Sequence, residues 1–186
     1  AIRAALLARD PHAKVRATRA VARDWRLGRL AFAFDVAMPD EPGRPDKPEL
    51  LPPNRMPRRG RGQSLRGRIA LYHALAHIEF TAIDLALDIA GRFGAEMGPR
   101  FVSDFLAVAA DEAMHFILLE RRLHALDSLY GALPAHGGLW DAAAKTRDDV
   151  AAACGLAYVT AALAAPGTDL IVGELRVESA RLGTAD

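Results

Sequence analysis

Between Ser64 and Tyr130 the chain carries two long runs of helical periodicity separated by a short turn at Gly94, Gly98 and Pro99, and that adjacency constrains its architecture more than any other feature. Two long helices joined by so few residues must fold back on each other, which predicts an antiparallel hairpin and, from it, a helical bundle. Ser64 is suited to cap the first helix, expected to run to about Phe93 and stop at Gly94. The second is expected from near Pro99 to about Tyr130, ahead of Gly131 and Pro134. No segment alternates as a strand would, so the fold class is all-α.

The flanks follow the same punctuation. Residues 1–33 read as helix broken at Asp10-Pro11, where proline is placed to open a second helix reaching about Phe32. Residues 34–63 are a Pro/Arg-rich connection: Pro39, Pro42, Pro45, Pro48, Pro52, Pro53 and Pro57 each remove an amide donor that a helix needs. So long a connection is expected to lie across the surface of the bundle. A fourth helix is expected over Leu139 to Ala165, closing the bundle helices of 64–165, and a weak terminal helix over 166–186. At 186 residues and 51% hydrophobic content the whole is expected to be one domain with a real core.

Charge narrows the function classes. Lysine occurs only at Lys14, Lys47 and Lys145, yet the acids balance the arginines to a net charge of +1, so no global field draws the chain to nucleic acid or membrane. No apolar run reaches the roughly 20 residues of a bilayer span. The single cysteine, Cys154, forms no internal disulfide, and a reducing cytoplasm fits best.

On the helix beginning near Pro99, Phe101, Phe105, Val108, Glu112, Leu119, Leu123 and Leu126 fall on one stripe, which turns Glu112 toward the core. His115 follows three residues on, about 60 degrees round, so carboxylate and imidazole can converge on one point. On the preceding helix Glu79 borders the stripe of Leu71, Leu75, Ile78, Ala82 and Leu85 and can face Glu112. A Glu on one helix with Glu-x-x-His on its neighbour is the half-site repeated in di-iron and di-manganese carboxylate bundles. A surface salt bridge explains the Glu-x-x-His spacing alone equally well. His73 and His77 share a face with Asp84 and Asp88 nearly opposite the apolar stripe, which reads as a solvated polar face or as hydrogen bonding behind the ligands, not as ligation.

Several separated motifs resemble a bacterial ferritin-like family of unknown function, distantly akin in architecture to the di-iron tRNA hydroxylases. They are Pro42-Gly43-Arg44-Pro45, His73-Ala74-Leu75-Ala76-His77-Ile78-Glu79, Asp111-Glu112-Ala113-Met114-His115-Phe116, and the run from Tyr130 to Trp140. The resemblance implies a ferritin-like bundle with Glu79, Glu112 and His115 as metal ligands, iron or manganese as the metal, and oxidoreductase chemistry on a substrate no motif specifies. It weakens after about Val150. Where the family reads E-A-R-G-L-D this chain has Ala164-Ala165-Pro166-Gly167-Thr168-Asp169, and the family's second D-E-x-x-H is absent from the sequence. Two outcomes stay open: a homodimer that completes the site from two half-sites, or a non-catalytic helical protein whose site has decayed.

Other features carry less. Arg55, Arg58, Arg59, Arg61, Arg66 and Arg68 form a basic stretch without interleaved aromatics, better read as a linker pairing with surface acids than as a nucleic-acid site. Cys154 reads as a small buried residue and Trp25 and Trp140 as packing anchors. Spacing assigns His136 no role. Glu174 and Glu178 read as a solvated face.

Overall fold

The computed structural model describes residues 1–57 and 64–157. Arg58, Arg59, Arg61, Ala164, Glu174, Glu178 and the expected terminal helix 166–186 lie outside the described residues. A single helical turn, α1 (Ile2–Leu6), precedes α2 (Pro11–Arg26), which opens as expected. The Asp10 side chain accepts from the Ala13 amide at 2.7 Å, and Pro11 takes the first helical position, where no amide is needed. α2 stops short of Phe32 because Gly28 turns left-handed at φ 66, and the Arg29 amide bonds back to the Asp24 carbonyl at 2.9 Å.

Ser64 caps α3 (Leu65–Met97), accepting from the Gly67 amide at 3.1 Å. The helix runs through Gly94 instead of ending there. Packing needs that glycine inside it, since a Cβ would stand 2.6 Å from the Phe34 ring and 2.7 Å from Val102. The break falls at Gly98, with φ 89, and α4 (Pro99–His124) begins at once. Gly94 against Val102 and Phe80 against Phe116, rings 5.3 Å apart, place the pair antiparallel about that turn. α4 ends before Tyr130 because Asp127 adopts φ 53 and the Ser128 amide returns to the Leu123 carbonyl at 2.9 Å. The expected fourth helix is divided. α5 covers Gly138–Lys145, and the Asp149 side chain then accepts from the amides of Ala151 and Ala152 to start helical residues 150–157.

The described residues are all-α, apart from an isolated bridge between Leu50 and Ala135 and a short 3-10 turn at Pro53–Arg55. The described part of the Pro-rich connection, residues 34–57, lies on the bundle as its length predicts. Gly43 donates to the Leu6 carbonyl at 2.9 Å, Arg92 donates to the Pro39 carbonyl at 3.1 Å, and Leu51 donates to the Ala135 carbonyl at 2.7 Å. Buried Lys14 ties these layers together, its ammonium donating to the carbonyls of Leu6 and Gly43 and to the Asp84 carboxylate.

Two expectations about helix faces are corrected. The buried face of α4 keeps Glu112, Leu119 and Leu123 of the expected stripe but adds Val102, Leu106, Ala109, Ala113 and Phe116, while Val108 is 38% exposed and Phe101, Phe105 and Leu126 are half-buried. α3 has no solvated face at its centre: His73, His77, Asp84 and Asp88 are all buried, because α1, α2, α4 and α5 pack around this helix. Leu71, read as apolar stripe, is 38% exposed. Trp140 is buried and Trp25 half-buried at the core's edge, while Cys154 is half-buried rather than internal. No helix among the described residues is long and apolar enough to cross a membrane.

Candidate metal centre

A hairpin turning at Gly98 sets the middle of α3 against the middle of α4, which brings Glu79 to Glu112 and His115. Glu79 is fully buried, Glu112 is 5% exposed, and His115, one turn further on α4, is half-buried at the edge of the bundle. One donor atom from each lies within 4.8 Å of the others. The His115 Nδ1 stands 3.0 Å from a Glu112 oxygen and 3.9 Å from a Glu79 oxygen. The three residues singled out in the sequence are therefore together, on two helices, with donor atoms turned inward.

Their electrostatics follow from burial. Desolvation pushes the Glu112 carboxyl up to about 7, against the hydrogen bond from His115, and the nearby Glu79 carboxylate pushes the same way as burial. Its hydrogen bonds to Glu112 and then Glu79 raise His115 to about 10, against its own desolvation. Two carboxylates forced together in a poor solvent thus draw in positive charge, which here is the imidazolium proton. A metal cation satisfies the same demand, and two hard oxygens with one imidazole are a donor set that suits iron or manganese.

His73 and His77 stand apart from this cluster. The His77 Nε2 donates to the His136 carbonyl at 3.3 Å, which leaves Nδ1 to accept from the Tyr130 hydroxyl at 2.9 Å. The His73 Nε2 accepts from the amides of Gly131 and Leu133 at 3.0 and 3.4 Å. Burial holds both imidazoles down at about 4, hence neutral. Hydrogen bonding is the correct part of the sequence reading, but its object is the 130–136 turn and not the ligands, and the solvated face is overturned. These two rings and His136 line a cavity of about 580 Å³ that sequence reasoning missed. Ile69, Ala70, His73, Ala74 and His77 share the helical face that signals it. His136 also accepts from the Gly138 amide at 3.2 Å.

A family model covers residues 7–173, a span that takes in both helices of the hairpin and all three clustered residues. The chain belongs to the DUF455 family, described as proteins of unknown function. An uncharacterized protein of Haemophilus influenzae is similar to this DUF455 chain, 43% identical over 112 residues, or 57% of the chain and 38% of that relative. The chain thus matches well under half of the relative's length. No solved structure matches it.

Proposed function

We propose that this DUF455 chain carries one half of a ferritin-like carboxylate metal centre, in which Glu79, Glu112 and His115 hold iron or manganese for oxidoreductase chemistry. The observation that supports the reading is the convergence of two buried carboxylates and one imidazole within 4.8 Å across the α3/α4 hairpin. In this reading Glu79 and Glu112 would supply the carboxylate oxygens and His115 the nitrogen donor. Bound iron would supply electron transfer to dioxygen. Glu79 and Glu112 would offset the charge of a cation, and His115, protonated in the metal-free cluster, would have to give up its proton to offer a nitrogen, so metal uptake would release protons to solvent. A second half-site comes either from further chain or from a second copy in a homodimer.

One observation favours a different reading, a non-catalytic helical protein: the 3.0 Å contact between His115 and Glu112 lets an imidazolium supply the positive charge that the carboxylates draw in. Thermal melting with ferrous or manganous ion separates the two. A metal present at about a hundred times its dissociation constant stabilises by about 2.7 kcal/mol, and a chain of this size should then melt roughly 5–10 °C higher. That rise should vanish in Glu79→Gln and Glu112→Gln. An unchanged midpoint in the parent protein sinks the metal reading and leaves the proton-held one.

A further inference from the structure

On α2, Arg16, Arg19, Arg23 and Arg26 recur every three or four residues, so all four leave the helix on one exposed face. That face forms one lip of a groove of about 1030 Å³ between α2 and α4. Its floor is small and apolar, from Ala20, Leu106, Ala107 and Ala110, and its other lip carries Asp111 and the 39% exposed Met114. The walls run antiparallel, because His12 meets Glu120 at one end (3.1 Å) while Trp25 donates to the Ser103 hydroxyl at the other (2.8 Å). Among the described residues Arg23 pairs with Asp24 at 3.1 Å, whereas Arg16, Arg19 and Arg26 have no carboxylate partner. In a chain of net charge +1 this concentration of guanidinium groups is local.

We infer that the groove docks an amphipathic helix of a partner protein, its acidic edge along the arginine lip and its basic edge toward Asp111. Alanines on the floor let a third backbone approach to the 8–10 Å of packed helices, and α2, at 16 residues, offers a track of about 24 Å. Charge complementarity chooses the occupant. A nucleic-acid backbone is negative throughout and would meet Asp111 on the groove's other lip. Trp25 is the aromatic residue lining the groove, its indole N–H held by Ser103, and it has no second aromatic along the groove to stack successive bases. A second copy docking by a twofold axis that crosses the groove would set arginines against arginines.

Fluorescence anisotropy tests the assignment with three labelled probes on the full chain. They are a designed 18-residue helix with a Glu edge, an Ala/Leu seam and a Lys edge; the same helix with its Glu edge changed to Lys; and a 20-nucleotide single-stranded RNA. The first probe should bind at least about tenfold more tightly than either of the others. The variant Arg16→Glu/Arg19→Glu/Arg23→Glu, shown by circular dichroism to keep its helix content, should lose that probe by tenfold or more and gain the all-Lys one. Equal binding of the two helices, no binding of the first, or preference for the RNA with steep salt dependence each overturns the proposal.

Discussion

Replacing Lys14 by methionine should destabilise the protein severely, and the structure says by how much. The ammonium is fully buried, donates to the Leu6 and Gly43 carbonyls at 2.9 and 2.8 Å, and pairs with the Asp84 carboxylate, itself fully buried. Methionine fills much of the same volume but strands a buried carboxylate, a change that costs roughly 3–5 kcal/mol, and deprives two carbonyls of their donor. We therefore expect a loss of about 4 kcal/mol, a large part of the 5–15 kcal/mol usual for a domain. With a urea slope of about 2 kcal/mol/M, the unfolding midpoint should fall by about 2 M at pH 7.5. The pH dependence has a definite sign. Burial holds the Asp84 carboxyl up to about 6 even with Lys14 opposing it, and the variant takes it higher. A carboxyl raised in the folded state holds its proton where the unfolded chain has lost it, so the deficit shrinks toward pH 4 and grows as pH rises through the folded value. Adding Asp84→Leu to the variant should restore most of the loss by removing the orphaned charge. A single variant within 1 kcal/mol of the parent, or a double variant worse than the single, refutes the reasoning.

Gly43→Ala should lower the melting temperature by several degrees, because the new Cβ falls inside contact distance of the Leu7 backbone carbonyl, which cannot swing aside; an unchanged melt contradicts this. His73 should make stability fall with acid. Its folded value of about 4 lies below the ordinary 6.5, so its contribution is complete above 6.5 and lost as pH drops through 4, a matter of about 3 kcal/mol. His73→Gln, which cannot take that proton, should show a flatter stability profile between pH 7 and 4, and parallel profiles would remove the role assigned to this ring.

The hairpin and the three clustered residues were legible because their signals are local: a Ser cap, a Gly/Pro turn, and a carboxylate and imidazole three residues apart. Pairing across the hairpin needed the turn together with the inward faces of both helices, on which Glu79 and Glu112 lie. What periodicity hides is which neighbours cover a helix. His73, His77, Asp84 and Asp88 look like a wet face in sequence, and they are buried because the connection brings Pro39 to Arg92, α2 brings Lys14 to Asp84, and the turn brings Tyr130 to His77. Helix ends were misplaced for a similar reason. Gly94 reads as a stop until Phe34 is packed on it, and the expected helix over Leu139 to Ala165 gave no sign that Asp149 caps a new start at Ala151 and Ala152.

Elemental analysis after anaerobic loading with ferrous or manganous ion and removal of excess metal tests the central claim most directly. The parent protein should retain stoichiometric metal, while Glu79→Ala and Glu112→Ala, checked for helix content, should retain almost none. A folded parent that emerges metal-free, or variants that keep as much metal as the parent, would contradict the assignment of Glu79, Glu112 and His115 as ligands.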